Sequence, residues 1–259
     1  MKNQFSLKRF GMLFQKHTSE NYKSYLLSAG VLTGIMFLIM SFATYTVLGR
    51  PMNPDQQMLM FVLFLFAAGT IFTSTIFASL GDKRKAIALL TLPATHLEKY
   101  LVSWFYSFVV FLIVYTGIFY LVNTSVLHLF KQAEEEIRLY NIFADQERFF
   151  EFFFAITFLH SLAFLGSVWF EKVQFIKTAF SFLLFILILQ LLNYQILEWL
   201  LGQDLEFATL FGNVAFRQNN EMTFIKISEK QEYLRDLMLL VLGFILWAST
   251  YFRLKEKQV

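Results

Sequence analysis

Two groups of residues in this 259-residue chain could do chemistry. The first lies in the short segment Gly81–Tyr100, GDKRKAIALLTLPATHLEKY. Lys83, Arg84 and Lys85 present three adjacent cations, suited to acidic side chains or anionic headgroups. Ala86–Leu92 follows, and its Ile87, Leu89, Leu90 and Leu92 are too apolar to face water on every side. The run is far short of the ~20 residues that cross a bilayer as a helix. It must therefore lie against a membrane interface or another protein. Its chemistry is that of contact, not of bond making.

The second group consists of polar residues inside long apolar blocks: Glu151, His160 and Ser161 in one, Gln190, Asn193, Gln195 and Glu198 in another. Ionisable residues within spanning segments are functional candidates by default. Glu151 and Glu198 fall near block ends, where a carboxylate reaches water. A lone His160 reads as a hydrogen-bonded packing residue before it reads as a proton relay. Gln190 and Asn193, three apart on one helical face, either hydrogen-bond between helices or line a transport pathway, and the first reading is favoured.

Other chemistries lack their residues. There is no cysteine, so no thiol nucleophile, thiolate metal site or disulfide framework. No GxxxxGK[ST] loop occurs, which leaves no P-loop for ATP. No paired-His zinc motif is present, and His160-Ser161 has no GxS-type elbow. The acidic run Glu134-Glu135-Glu136 has no nearby histidine and reads as a solvated helix face. The chain is expected to have no catalytic residue, metal site or cofactor of its own, and no nucleic-acid partner.

The elements that position these residues follow from composition. The chain is 57% hydrophobic, with 34 Phe, and only 16% charged; a soluble domain is about a quarter charged. Six apolar blocks predict membrane spans: residues 25–48, 58–80, 100–122, 149–170, 178–201 and 237–252. None contains Lys or Arg, each of which costs about 2.5–3.5 kcal/mol at a helix centre. The sixth is short and spans only if Arg235 and Arg253 snorkel to the two interfaces. Gly30 and Gly34 in the first span form a GxxxG match, which permits close helix contact. Small and hydroxyl residues of the second span (Gly69, Thr70, Thr73, Ser74) suit the same role.

Residues 1–24 read as a cytoplasmic amphipathic helix on the membrane surface, or else as a basic topogenic flank of the first span. Leu7, Phe10 and Phe14 share one face, with Lys8, Arg9 and Lys16 elsewhere on the wheel. No signal-peptide pattern precedes the first span, which is expected to act as an uncleaved anchor. One side of the six spans carries 14 Lys and Arg, the other 8 over longer loops. The positive-inside rule puts both termini and Gly81–Lys99 in the cytoplasm. On the outer side, Leu129–Asp145 is expected to form a short amphipathic helix with Lys131/Glu135 and Glu134/Arg138 pairs. Phe211–Ile227 reads as an irregular loop, and Ser228–Gln231 as a capping box that starts the last helix.

The cytoplasmic segment can be read in more detail. Pro93 lacks an N–H and disfavours helical geometry at Leu92, so it ends the apolar piece. Thr95 then caps a new helix, with Glu98 reaching back from N3. The expected fold is thus an all-α membrane protein: six spans, an N-terminal interfacial helix and a connector helix between spans two and three.

With those residues identified, LLTLPATHLEKYLVSW resembles the connector of ABC-2 type permeases, the membrane subunits of ABC exporters, in small bacterial forms with an LLPaS…EKfl pattern. The matching residues are Leu89, Leu90, Leu92, Pro93, Ala94, Thr95, Glu98 and Lys99. The match is close over about residues 80–105 and architectural elsewhere. Thr95 stands where the pattern has Ser, keeping the capping oxygen, and the outer segment after span three is longer than in minimal members. The resemblance implies an exporter half in a bacterial cytoplasmic membrane. Its partners would be membrane lipids, a second identical or different permease subunit, and a separate cytoplasmic P-loop ATPase. Lys83, Arg84, Lys85, Ile87, Leu89, Leu90, Pro93, Thr95 and Glu98 would then form the ATPase dock, with Gln190 and Asn193 as candidate pathway contacts. The reading set against it is a non-transporting polytopic membrane protein, an assembly factor or sensor partner.

Overall fold

The computed structural model describes residues 5–131, 137–144, 146–210, 212–218, 221–225 and 228–257. Among them, six helices are long and apolar enough to cross a membrane: Leu7–Val47, Pro54–Thr75, His96–Leu129, Arg148–Trp169, Gln174–Leu201 and Tyr233–Glu256. The chain is an all-α multi-pass membrane protein. In order, the helices are α1 (Leu7–Phe42, running into a π turn at Ala43–Leu48), α2 (Pro54–Thr75) and the short α3 (Lys83–Thr91). Then come α4 (His96–Trp104) and α5 (Phe111–Leu129), joined by a π turn at Phe105–Val110 into one long rod. α6 (Gln146–Trp169), α7 (Gln174–Leu201) and α8 (Glu229–Glu256) complete the bundle.

The expected separate N-terminal helix is corrected: residues from Leu7 onward run without a break into the first span. No proline interrupts them, and the apolar face is used inside the protein. Phe14 stacks on Tyr106 with ring centres 4.7 Å apart and meets Phe105 edge-on. The Thr18 hydroxyl hydrogen-bonds that of Tyr106. Leu7, by contrast, is exposed. α1 lies parallel to the α4–α5 rod, since Arg9 meets Glu98 near one end and Tyr45 meets Phe130 near the other. The rod has 34 residues, about 50 Å at ~1.5 Å per residue, against ~30 Å of hydrocarbon. The two longest helices therefore exceed the hydrocarbon thickness together.

Other boundaries shift less. The sixth span is no longer the short one, because α8 begins at the Ser228 cap, whose capping box with Gln231 is formed. The GxxxG pair faces outward: a Cβ on Gly30 or Gly34 would meet nothing within 4 Å. Its close-packing role within the chain is not realised.

The expected outer helix over Leu129–Asp145 is not what the described part forms. α5 ends at Leu129, and Ile137–Asn141 is irregular chain. Ile137, Tyr140 and Ile142 instead pack onto the core of α1, α2 and α5. Burying those apolar groups against the bundle outweighs the helical pairing. Residues 132–136 and 145, including Glu134 and Glu135 of the two expected charge pairs, lie outside the described residues.

The expected irregular loop is also corrected. Leu205–Ala208, Val214–Gln218 and Glu221–Ile225 form a three-stranded antiparallel sheet. Val214, Phe216, Leu205 and Ala208 turn inward onto Tyr194, Leu197 and Leu201 of α7. Burial does not alternate as in a regular half-buried strand: Leu205 and Ala208 are three apart across a register shift, and Val214, Ala215 and Phe216 are buried in succession.

At the α3 end a second core joins Phe77, Leu80, Tyr100, Phe164, Val168 and Leu254. Large apolar side chains of α1 and α7 point outward along most of their length. In hydrocarbon such faces carry no penalty.

Candidate functional site at the connector

α3 is built from local rules. The Asp82 side chain accepts from the N–H of Arg84 at 2.9 Å and of Lys85 at 3.3 Å, capping the first turn. The helix stops at Thr91, and Leu92 turns extended (φ −53°, ψ 134°) ahead of Pro93. Thr95 then caps α4. The Glu98 N–H donates to Thr95 Oγ1 at 3.2 Å, and the Thr95 N–H donates to Glu98 Oε2 at 2.9 Å. The elbow expected from Pro93, Thr95 and Glu98 is present.

Tertiary packing adds what the pattern does not contain. The Glu98 side chain is fully buried and paired with Arg9. The Arg9 Nη2–H donates to Oε1 at 2.9 Å and its Nε–H is shared between both oxygens. The Ser6 N–H donates to Oε1 at 2.8 Å. Ser6 is the N-cap of α1, and its own side chain makes no cap bond. One carboxylate thus serves the N-terminal ends of two helices, where both backbone dipoles favour an anion. It ties the start of α1 to the start of α4.

The other end of the connector is fixed by contact. A Cβ on Gly81 would sit 1.8 Å from the carbonyl oxygen of Glu171 in the α6–α7 turn. The Gln174 Nε2–H donates to the carbonyl of Ser167 at 2.8 Å and reaches that of Phe77 at 3.4 Å. The ends of α2, α6 and α7 are drawn together there. Because the Gly81 clash is with backbone, Gly81→Ala is expected to destabilise by about 1–3 kcal/mol, the range for overpacking. A lowered thermal midpoint in detergent would show it, and an unchanged midpoint would mean the turn has slack.

Between these anchors α3 itself is little buried. Arg84, Lys85, Ala88, Thr91 and Pro93 are exposed, and Ile87 keeps 45% of its surface. Ala86 turns back toward the core around Tyr100. The nine sequence-designated residues therefore divide. Arg84, Lys85, Ile87 and Pro93 share the outward surface. Thr95 and Glu98 are interior anchors instead. Lys83, Leu89 and Leu90 lie on α3, where their side chains fall outside the described set. Sequence reasoning missed Arg9, Ser6 and Gly81. Only the rule that a buried carboxylate needs a partner points toward Arg9, and it does not say which cation.

The polar residues inside the spans resolve as structure. Trp247 Nε1–H donates to His160 Nδ1 at 3.0 Å. Indole is a donor only, so neutral His160 carries its proton on Nε2 and donates to Ser107 Oγ, 2.9 Å away. The Ser107 hydroxyl in turn donates to the Ser103 carbonyl at 2.9 Å. The π turn aims Tyr106 at α1 and Ser107 at α6, so this chain knits α4, α6 and α8 together. Gln190 and Asn193 do not form the expected bond to another span among the described residues. Their amides donate to the carbonyls of Ala208 and Thr209, at 2.6 and 3.4 Å, holding the sheet segment onto α7.

A further polar node, unforeseen, lies at the end of the bundle away from α3. Gln57 is fully buried. Its Nε2 donates to the carbonyls of Met52 and Arg138, both at 2.8 Å. Its Oε1 accepts from Asn123 Nδ2 and the Tyr140 N–H, also at 2.8 Å. This latch straps Ile137–Tyr140 over α2 and α5.

No family model, curated protein or solved structure matches this chain.

Proposed function

We propose that this chain is the membrane-spanning subunit of an ATP-driven exporter of the ABC-2 type, coupled through α3 to a separate cytoplasmic ATPase. The observation that carries the reading is the mounting of α3. Its outward face is basic and apolar and is left unburied, while its two ends are anchored in different parts of the bundle. A connector so held transmits a push. The Arg9–Glu98 pair passes motion to α1 and the α4–α5 rod, and the Gly81–Glu171 contact passes it to α6 and α7. ATP hydrolysis belongs to the partner, and the substrate pathway to the interface with a second permease subunit. The α3 end then faces the cytoplasm of a bacterium, with both termini on that side.

Purification in mild detergent is expected to retain a P-loop ATPase. Ile87→Asp places a charge on the exposed face of α3 and is expected to weaken that association by roughly thirtyfold, the loss typical of an interface hot spot. Membrane insertion and the size-exclusion profile should stay unchanged. Unaltered retention by Ile87→Asp would show that α3 is not the dock. Failure of the native chain to retain an ATPase, even after cross-linking through Lys85, would favour the non-transporting role.

A further inference from the structure

The sheet beside α7 stands at a definite depth. The Gln190 amide donates to the carbonyl of Ala208 at 2.6 Å, and the Asn193 amide to that of Thr209 at 3.4 Å. α7 starts at Gln174, shortly after the charged turn residues Glu171 and Lys172. About 20 residues cross the hydrocarbon, and that count from Gln174 reaches Asn193. A start further along α7 would only set Asn193 deeper. The Ala208–Thr209 end of the first strand therefore lies at the hydrocarbon boundary of the leaflet away from α3. From there the sheet packs along Tyr194, Leu197 and Leu201, past that boundary.

The sheet face turned away from α7 is sorted by polarity in the same direction. Residues paired across neighbouring strands share a face. Phe207 pairs with Ala215, and Ala215 with Phe224, one row in from the Ala208 end of the sheet. Phe207 is 55% and Phe224 61% exposed, while Ala215 between them is buried. The next row on this face pairs Arg217 with Met222, and Arg217 Nη2 lies 3.4 Å from Glu206 Oε1. Gln218 and Glu221 pair at the far end. Two bare rings thus stand towards the membrane end of the sheet, and the charges stand away from it. Apolar rings on one side and charges on the other is the division of an interfacial element. A face closed by a second copy has no reason to follow bilayer depth.

We infer that this face of the sheet rests on the membrane surface of the leaflet away from α3, with the Phe207 and Phe224 rings inserted among the lipid chains. The Glu206–Arg217 pair then lies at the headgroups or above them. The backbone of the sheet stays at headgroup level, because an open strand edge is not tolerated in hydrocarbon. The contact braces the connection between α7 and α8 against the bilayer, and it does not depend on a transport role.

The chain has no cysteine, so a single introduced cysteine carries a nitroxide to one place. Phe207→Cys, Phe224→Cys and Met222→Cys are made in the full chain, with Leu187→Cys on the exposed flank of α7 as the lipid reference. In phosphatidylcholine vesicles, collision with oxygen reports hydrocarbon and collision with a water-soluble nickel chelate reports water. The oxygen-to-chelate ratio is expected to be severalfold higher at positions 207 and 224 than at 222, and to approach that at 187. A ratio at either ring position no higher than at 222 would overturn the inference, because the ring then stands in water. Exclusion of both relaxers from 207 and 224 would overturn it too, because protein then covers the face. Phe224→Trp keeps a ring in place and guards against misfolding of the cysteine variants. Chain-brominated phosphatidylcholine should quench the emission that this tryptophan adds to that of the native chain, and unquenched added emission would overturn the inference.

Discussion

Glu98→Ala is expected to lower the stability of the protein by about 3–5 kcal/mol, the cost of breaking a buried ion pair by removing one partner. The carboxylate is fully buried, whereas the Arg9 side chain keeps 34% of its surface. Water can reach the orphaned guanidinium, so the lower part of that range applies. Loss of the Thr95 capping box adds about 1 kcal/mol, and the Ser6 N–H is also left without its acceptor. Glu98→Gln keeps one acceptor oxygen and the side-chain length, and should fall between. The check is thermal unfolding in mild detergent, followed by loss of the monodisperse size-exclusion peak. Arg9→Ala alone should cost less, because the carboxylate retains two backbone N–H donors. The double variant should cost clearly less than the two singles added together, since each removes the other's orphan. Additive losses would mean that the pair contributes nothing of its own, and α1 would then not be tied to the connector through it.

Gln57→Leu is the second large effect. Leucine nearly matches the volume but offers no hydrogen bond, so four partners lose theirs at once. They are the carbonyls of Met52 and Arg138, the Asn123 amide and the Tyr140 N–H. A buried polar group left unsatisfied costs about 1–3 kcal/mol. Hydrogen bonds between membrane helices average only about 0.6 kcal/mol, because the unfolded chain in the membrane also finds partners. Two of the four partners belong to a connecting segment at the bundle end, where water supplies the alternative. A net loss of about 2–3 kcal/mol is expected on these grounds. Limited proteolysis reads it locally: the Ile137–Ala144 segment should become cleavable in Gln57→Leu while the spans stay protected. Asn123→Leu removes only one of the four contacts and should leave the strap in place. Equal protection of the segment in Gln57→Leu and the native chain would show that its apolar residues hold it without the amide.

The correspondence between pattern and structure is close wherever the governing interaction is local. The Thr95–Glu98 and Ser228–Gln231 capping boxes form as their spacing requires. Pro93 ends α3 for a steric reason that acts between neighbours. Errors arose where a local preference met a tertiary competitor. The amphipathic face around Phe14 suited a membrane surface, but Tyr106 offered it an aromatic contact and a continuous helix cost nothing extra. Gln190 and Asn193 had the spacing of an interhelical pair, yet a sheet folded beside them with open carbonyls. The sheet leaves no alternating pattern in the sequence, because its strands have only four or five residues, Val214, Ala215 and Phe216 are buried in succession, and the inward partners lie on α7.

The sequence by itself determined that this chain crosses a membrane six times and carries a short connector between its second and third spans. Runs of apolar residues and cap residues three apart act over one or two helical turns, so their consequences are written locally. Only the tertiary structure decided which cation Glu98 meets, which proton His160 carries and why residue 81 is glycine. Arg9 and Glu98 stand 89 residues apart, and their meeting depends on the rotation and axial register of two long helices. Those quantities come from the packing of all the helices together. No local pattern contains them, and on them rests the mounting that leaves one face of α3 open.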